Sequence, residues 1–341
     1  MARREALSRK ERSAPSPRAL SRGDFLALAA RGLGAAMLAG VAAAVSTETA
    51  RASAGSKDGT MKRSNTLMIT RAIPKTGEPL AVIGLGTWQT FDIGNDPATR
   101  GRLAEVLRAL FAGGGKVIDS SPMYGRAEGV VGDLLAQLHA RSSAFLATKV
   151  WTTGQQAGIE QMQRSFELLR TRTIDLMQIH NLLDWRAHLS ALRRMKDAGQ
   201  IRYIGITHYT ASALPELAEI IEREQIDFVQ CAYSIEERDA EKRLLPLAAE
   251  RRVGVIVNRP FGGGGLFSRA RAVALPPWAA EFGCSSWAQF LLKFILSNPA
   301  VTCVIPATAN PEHLADNLSA GYGRLPDAAE RQRMVRLWDS I

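Results

Sequence analysis

Cysteine is scarce in this chain, and so are the spacings that bind metal ions. The 341 residues include three cysteines, Cys231, Cys284 and Cys303, which lie far apart. Three are too few for a disulfide framework, and no His-x-Glu-x-x-His or Cys-x-x-Cys spacing occurs. Hydrophobic residues make up 46% of the chain, an ordinary share for a folded protein. The composition therefore excludes disordered, collagen-like and disulfide-stapled proteins, and we expect no bound metal.

The positive charge is concentrated near the start of the chain. The formal net charge is +10. Residues 1–54 carry nine basic and four acidic side chains, so half of the net positive charge lies there. No basic run with interleaved aromatic residues follows residue 63, as a nucleic-acid-binding surface would require. We therefore expect no nucleic-acid partner.

The first 54 residues have the organisation of an export signal. A basic stretch precedes residues 25–45, which are rich in Ala, Leu and Gly, and Ala52-Ser53-Ala54 offers a small-residue cleavage pattern. Residues 21–26 are similar to the twin-arginine export signal, with Gly23 at the place of its second arginine. The pattern predicts a targeting segment over 1–54 and an exported or periplasmic protein.

Two alternatives to export stay open. Residues 25–45 are about as long as the roughly 20 residues that a membrane span needs, so an uncleaved segment would be the chain's one membrane contact. If translation instead begins at Met61, the protein is cytoplasmic. In each case we predict a linker over 55–65 and one catalytic domain over 66–341.

The catalytic region alternates short apolar runs with amphipathic segments of helical period. The predicted strands cover residues 81–85, 116–120, 144–150, 174–180, 203–207, 228–233, 254–258 and 303–306. One predicted helix begins at Pro97 with Asp96 as its N-cap. The other predicted helices cover 129–139, 159–169, 189–198, 214–224, 241–251 and 287–296.

Eight apolar strands separated by helices predict an α/β fold, a parallel (β/α)8 TIM barrel, with an open doubly wound sheet as the alternative. In such a barrel the chemistry lies at the C-terminal strand ends. Polar residues recur at those predicted ends and in the loops after them: Asp119, Tyr124, Lys149, His180, Thr207, His208, Gln230 and Arg259. Because ionisable residues are rarely buried without partners, their recurrence predicts a site.

The chain resembles the aldo-keto reductase family over residues 66–341. The most specific match is Asp119-Ser120-Ser121-Pro122-Met123-Tyr124-Gly125, which is similar to the family's Asp-Thr-Ala-x-x-Tyr-Gly signature. Further matches are Ile174-Asp175-Leu176 leading to His180, and Ile305-Pro306 leading to Asn317. The resemblance implies NAD(P)H-dependent reduction of an aldehyde or ketone to an alcohol.

The resemblance places a catalytic tetrad on Asp119, Tyr124, Lys149 and His180. Carbonyl reduction needs a hydride for the carbon and a proton for the oxygen, and a tyrosine with a pKa of about 10 holds its proton at neutral pH. We expect Lys149 to lower the pKa of Tyr124 and Asp119 to keep Lys149 charged. His180 would donate a hydrogen bond to the carbonyl oxygen.

A complete Gly-x-Gly-x-x-Gly motif is missing, because Gly84-Leu85-Gly86 lacks its third glycine. The resemblance instead implies a nicotinamide cofactor across the barrel mouth. Thr207-His208 stand where the family has Ser-Asn for the carboxamide, and Gly262 begins a four-glycine run that is either a diphosphate cradle or a flexible loop. The expected contacts near the nicotinamide and diphosphate are Gly86, Thr87, Thr207, His208, Gln230, Asn258, Arg259, Phe261 and Gly262.

The adenosine end of the cofactor is expected on Thr308, His313, Asp316 and Asn317. Ala307 and His313 stand where family members that prefer a 2'-phosphate commonly have Lys and Arg. NADPH is the predicted cofactor, with NADH as the alternative.

Three tryptophans, Trp88, Trp151 and Trp185, are predicted to contact substrate, although rim packing explains them equally well. No Arg or Lys pair indicates an acidic substrate, so we expect small aromatic or aliphatic aldehydes and ketones. Family members also act as cofactor-binding, redox-sensing or regulatory subunits without significant turnover, which is one alternative function. A barrel aldolase with Lys149 as Schiff-base nucleophile is another.

Overall fold

A computed structural model describes residues 67–341 of the chain. The predicted targeting segment, the linker and residue 66 lie outside this described part, and so does the membrane-span alternative for residues 25–45. Within residues 67–341, no helix is both long enough and apolar enough to cross a membrane.

A hairpin precedes the main sheet. Strands β1 (Thr70–Ala72) and β2 (Pro79–Ala81) pair antiparallel, and the main sheet has eight parallel strands, each beside its sequence neighbour. These eight strands are β3 (Leu85–Gly86), β4 (Val117–Asp119), β5 (Phe145–Val150), β6 (Ile174–His180), β7 (Ile201–His208), β8 (Phe228–Ala232), β9 (Gly254–Asn258) and β10 (Val301–Val304).

The first and last strands close the sheet into a ring. Parallel bridges join Ile83 to Val304 and Gly86 to Ala307. The Gly84 N–H donates to the Val304 carbonyl at 2.9 Å, and the Val304 N–H donates to the Val82 carbonyl at 2.9 Å. This closure confirms the predicted (β/α)8 barrel and is incompatible with an open doubly wound sheet.

Helices cover the outside of the barrel. The described residues contain α1 (Pro97–Ala112), α2 (Ala127–Gln137), α3 (Gln155–Leu168), α4 (Trp185–Asp197), α5 (Leu214–Arg223), α6 (Leu244–Glu250), α7 (Gly265–Ala270), α8 (Trp287–Leu296), α9 (Pro311–Ser319) and α10 (Ala328–Asp339). Helix α1 begins as predicted, because the Asp96 carboxylate accepts the Thr99 N–H at 2.8 Å and Pro97 follows it.

Several predicted bounds are wrong. The expected strand over 81–85 is two structures, since Ala81 ends β2 and Leu85 begins β3. Residues 80–85 are all buried, so the apolar run indicates burial. It does not show that the chain leaves the hairpin with β1 and enters the main sheet within this run. Helix α4 begins four residues before Leu189, because its first turn carries no apolar periodicity.

The interior of the barrel is apolar toward the N-terminal strand ends. The rings of Phe145, Tyr203 and Phe228 pack with centroids 5.4 to 6.3 Å apart. Ile73 and Leu80 from the hairpin region belong to the same buried cluster. This filled interior leaves the opposite end, with its polar strand termini, as the place for a site.

Candidate active site

The polar residues of the site lie where successive strands end. Asp119 is the last residue of β4, Lys149 lies near the end of β5, and His180 ends β6. Tyr124 follows in the loop after β4. Gly125, next to it, has φ +63, and a Cβ atom there would collide with the Asp92 carboxylate, so the loop needs glycine at this place.

A buried ion pair forms the base of the site. The Lys149 ammonium donates to Asp119 Oδ1 at 2.5 Å and to the Ser120 carbonyl at 2.7 Å, and the two side chains are 0% and 3% exposed. Burial alone lowers the pKa of Lys149, but the negative charge of Asp119 and the proximity of Tyr124 raise it above its ordinary value. Lys149 is therefore an ammonium ion at neutral pH, a state unsuited to the nucleophile of an aldolase.

Two amides hold the other oxygen of Asp119. The side-chain N–H groups of Gln178 and Gln230 donate to Asp119 Oδ2 at 3.0 and 2.9 Å. Gln178 pairs in register with Lys149, and Gly205 leaves room for it, since a Cβ atom there would lie 2.8 Å from Gln178 Cγ. These donors favour the ionised carboxylate and fix its orientation toward Lys149.

Tyr124 lies against the same pair. The Lys149 nitrogen is 5.0 Å from the centroid of the Tyr124 ring. Withdrawal from water raises the pKa of the Tyr124 phenol, and the Lys149 charge lowers it by less, so the net direction is upward. Without cofactor, the expected lowering by Lys149 is thus outweighed by desolvation, and Tyr124 keeps its proton.

His180 faces Tyr124 edge-on. Their ring centroids are 5.8 Å apart at 84°, and the Trp151 ring lies 6.4 Å from His180. Burial lowers the pKa of His180 well below its ordinary value, and the positive charge of Lys149 adds to this shift. His180 is accordingly neutral at physiological pH. Its Nδ1 atom lies 3.0 Å from Ser121 Oγ.

Several residues expected to contact the nicotinamide lie around the ion pair of Lys149 and Asp119, on the neighbouring strands. Thr207 and Asn258 both donate to Gln230 Oε1, at 3.3 and 3.2 Å, while Thr87 donates to the Asp119 carbonyl at 3.0 Å. Gly86 needs to be small, because a Cβ atom there would lie 2.9 Å from the Ile305 carbonyl oxygen. One hydrogen-bonded cluster therefore links the expected carboxamide site to the ion pair.

Unpaired polar atoms show that this region fits a polar ligand. Asn258 Oδ1 and Arg259 Nε are buried and have no hydrogen-bond partner within the described part of the chain. Unsatisfied buried atoms are costly, so they indicate a group that binds there. After Phe261, Gly262 is half-buried and Gly263 is exposed, and both have positive φ, +57 and +69, which suits a phosphate cradle. These residues fit a nicotinamide dinucleotide.

His208 departs from the expected carboxamide arrangement. Its Nδ1 lies within hydrogen-bond distance of Thr210 in the same loop, 3.2 Å from the backbone nitrogen and 3.1 Å from the hydroxyl. Burial lowers the pKa of His208, so the ring is neutral at physiological pH. Nε2 is thus the ring nitrogen that remains for a cofactor.

The expected adenosine contacts lie around the start of α9. His313 is exposed, Asn317 is buried, and Thr308 accepts the Asn310 N–H at 3.1 Å. Asp316 accepts two hydrogen bonds from the start of α8, from Gln289 Nε2 at 2.6 Å and Ser286 Oγ at 2.8 Å. Ser286 and Gln289 therefore position Asp316, a role that the sequence does not reveal.

The three tryptophans differ in their surroundings. Trp151 packs near His180, and Trp88 is partly exposed beside Thr87. Trp185 begins α4, packs partly against the hydrophobic core and carries the Arg186 guanidinium 4.2 Å above its ring. Of these three tryptophans, Trp151 is thus the one whose ring lies near the ring of a tetrad residue.

Besides Ser286 and Gln289, Ser121 and Gln178 are functional candidates that sequence reasoning missed. Gln178 had a readable signal, because it lies two residues before His180 and so faces the same side of β6 in an otherwise apolar strand. Ser121 differs from the alanine of the family signature, which is also visible in the sequence. Neither signal shows which partner the side chain contacts.

At the C-terminal end of the closed (β/α)8 barrel lie a buried ion pair, a protonated tyrosine and a neutral histidine. This arrangement can give a proton to a carbonyl oxygen, as an oxidoreductase that reduces carbonyl groups requires. The model of the aldo/keto reductase family matches residues 82–333. The chain belongs to the aldo/keto reductase family and is an NAD(P)H-dependent oxidoreductase.

Known relatives agree with this assignment. A methylglyoxal reductase of Escherichia coli K12 is 29% identical over 245 residues, which cover 70% of this chain and 84% of the relative. An NADH-specific methylglyoxal reductase of the same strain is 24% identical and covers 73% and 92%. An aldo-keto reductase of Klebsiella pneumoniae in complex with NADPH superposes with a TM-score of 0.67 at 25% identity, covering 80% and 96%.

Proposed function

We propose that the protein reduces small aldehydes and ketones, with Tyr124 as proton donor. The observation that carries this proposal is the placement of the Tyr124 ring 5.0 Å from the ammonium of a fully buried Lys149, whose charge Asp119 stabilises at 2.5 Å. A protonated phenol beside a fixed positive charge can give its proton to a carbonyl oxygen as negative charge develops there.

Each residue of the tetrad has a distinct part in this proposal. The nicotinamide cofactor, when bound, supplies the hydride for the carbonyl carbon. His180 orients the carbonyl oxygen by a hydrogen bond, and Tyr124 transfers its proton to that oxygen. Lys149 stabilises the phenolate that Tyr124 becomes, and Asp119 keeps Lys149 charged and in place.

We propose NADPH as the preferred cofactor. The relative from Klebsiella pneumoniae, solved with NADPH, supports this preference. Ala307 and the exposed His313 supply less positive charge than the Lys and Arg of other members, so we expect NADH to be accepted as well. The NADH-specific relative from Escherichia coli is in keeping with such acceptance.

The substrate class follows from the surroundings of His180. Trp151 adds an aromatic wall there, and the ammonium of the site is already paired with Asp119. A carboxylate substrate would find no unpaired buried cation among the tetrad residues. We therefore propose uncharged carbonyl compounds, with methylglyoxal as the first to test because two relatives are methylglyoxal reductases.

A fluorescence titration of the full-length protein with NADPH and with NADH tests the cofactor proposal. A carbonyl panel that includes methylglyoxal, an aromatic aldehyde, an aliphatic ketone and a keto acid then tests the substrate class. We expect binding of both nucleotides, tighter binding of NADPH, and turnover of the uncharged compounds. Failure to bind either nucleotide would sink the proposal, and a strong preference for the keto acid would overturn the substrate class.

We propose that residues 1–54 direct export and are removed after Ala54, with Gly23 in place of the second arginine of a twin-arginine-like signal. Cell fractionation of the tagged full-length chain tests this, with a version that starts at Met61 as control. Recovery of both versions in the cytoplasm, at their full sizes, would contradict export.

A further inference from the structure

Ser121 lies between Asp119 and Tyr124, and its hydroxyl group contacts the ring of His180. It is fully buried, and its Oγ atom lies 3.0 Å from His180 Nδ1. The same Oγ accepts the backbone N–H of Met123 at 3.2 Å. The family signature has alanine at this place, and alanine can make neither contact.

The hydrogen-bonding capacity of a serine hydroxyl decides the direction of this bond. If His180 Nδ1 carried a hydrogen, it would donate to Ser121 Oγ, and the hydroxyl hydrogen would need another acceptor. No other acceptor lies within hydrogen-bond distance of that hydroxyl among residues 67–341. If Nδ1 is bare, the hydroxyl donates to it and both groups are satisfied, so an unsatisfied buried donor is avoided.

We propose that Ser121 is a positioning residue that holds His180 in the tautomer with hydrogen on Nε2. The hydrogen bond at one ring nitrogen determines which nitrogen carries the proton. With Nδ1 engaged as acceptor, Nε2–H remains as the donor for a substrate carbonyl. The neutral state of the ring makes this choice matter, because an imidazolium would have hydrogen on both nitrogens.

This inference deepens the proposed reduction and rests on it for its catalytic meaning. The tautomer itself does not depend on turnover. It can be read from the 15N resonances of a histidine ring, since a bare and a protonated nitrogen differ widely in frequency. The chain has five histidines, and a His180→Gln variant assigns the signal.

The experiment uses full-length protein labelled with 15N-histidine, as wild type, Ser121→Ala and Ser120→Ala. Ser120 is the matched control, because it is an adjacent buried serine whose hydroxyl contacts Thr87 and not His180. We expect the wild type and Ser120→Ala to show the Nε2–H tautomer of His180, and Ser121→Ala to show a mixture. A wild type with hydrogen on Nδ1, or an unchanged tautomer in Ser121→Ala, would overturn the proposal.

Kinetics supply a second readout. In Ser121→Ala we expect kcat to fall about tenfold, which corresponds to about 1.4 kcal/mol, with cofactor affinity little changed. Ser121→Thr keeps the hydroxyl and should retain both the wild-type tautomer and most of the rate. A folded Ser121→Thr protein with the spectrum of Ser121→Ala would contradict the role of the hydroxyl. If the wild type reduces no carbonyl, the proposed function fails, while the spectra still decide the tautomer.

Discussion

The two ends of the barrel differ in whether their buried polar groups have partners within the protein. At the N-terminal end, the Tyr203 hydroxyl donates to Glu78 at 2.6 Å, and Asp227 pairs with Lys75 and Lys196 at 3.2 and 2.5 Å. At the C-terminal end, Asn258 Oδ1 is buried without a partner in the described part of the chain. Among residues 67–341, the polar groups just named at the N-terminal end are paired with each other, whereas the C-terminal end keeps a buried oxygen that a ligand can bind.

The difference lies also in what fills the interior. The aromatic cluster of Phe145, Tyr203 and Phe228 occupies the N-terminal half of the barrel, and the ion pair of Lys149 with Asp119 occupies the C-terminal half. Burying a charged pair costs free energy that an apolar cluster would not. We therefore expect substitutions at the two ends to separate activity from stability.

The largest effect is expected for Tyr124→Phe. This change removes the proton donor while keeping the ring against His180, so kcat should fall by about a thousandfold. Cofactor affinity should stay within about twofold, and the melting temperature should change little. Steady-state kinetics with NADPH titration and thermal unfolding measure these three quantities. Retained turnover would refute the assignment of Tyr124.

Lys149→Met is expected to damage both activity and stability. It leaves the Asp119 carboxylate buried without its cation, which should cost about 3–5 kcal/mol of unfolding free energy. Urea denaturation of the single variant and of Lys149→Met with Asp119→Asn tests the cause. The double variant should recover much of the lost stability but no activity. Equal stability of the two variants would show that the ion pair is not the source of the loss.

Phe228→Ala tests the opposite end. Removing a fully buried ring from the aromatic cluster should cost about 3–5 kcal/mol, and kcat per folded molecule should remain close to wild type. Urea denaturation and active-site titration measure the two quantities. A selective loss of kcat in folded protein would contradict the expectation that the N-terminal end of the barrel serves stability and the C-terminal end activity.

The pH dependence of the two reaction directions should differ. Because desolvation raises the pKa of Tyr124, the phenol stays protonated at neutral pH, and reduction should not respond to its ionisation between pH 6 and 8. Alcohol oxidation needs the phenolate and should rise up to about tenfold per pH unit in this range. The depressed pKa of His180 predicts no inflection near 6.5. A reduction rate that falls with a midpoint near pH 7 would be inconsistent with the raised pKa of Tyr124 and with the lowered pKa of His180.

The smallest expected effect is the labelling of the three cysteines by a thiol reagent in folded protein. Burial raises the pKa of Cys231 and of Cys284 to about 12, and that of Cys303 upward as well, so all three remain thiols at pH 8. A thiol reagent should label none of them in folded protein and three in urea. Rapid labelling of native protein at Cys231 would reveal opening of the C-terminal end.

Sequence patterns predicted the barrel better than its connections. The apolar runs of β5, β6 and β9 have the predicted bounds within one residue, because buried parallel strands are apolar throughout. The hairpin strand β1, Thr70–Ala72, was missed, since it has three residues, two of them exposed, and gives no periodic apolar signal. The helices α7, α9 and α10 were also missed.

The tetrad could be proposed from the sequence because the resemblance to the family signature singles out four of the polar residues at or after the predicted strand ends. Ser121 and Gln178 were not predicted, because their sequence signals do not show their contacts with His180 and Asp119, which lie 59 residues away in the sequence. Hydrogen bonds between distant strands are fixed by the register of the barrel, which composition and periodicity do not specify.

The ring closure between β3 and β10 has a consequence for the protein during synthesis. Gly84 bonds to Val304, a partner made only after more than two hundred further residues. Until Val304 has left the ribosome, both margins of the growing sheet have unpaired N–H and C=O groups that can pair with another chain. The risk of pairing with another chain therefore persists through synthesis and ends only when the last strand closes the ring.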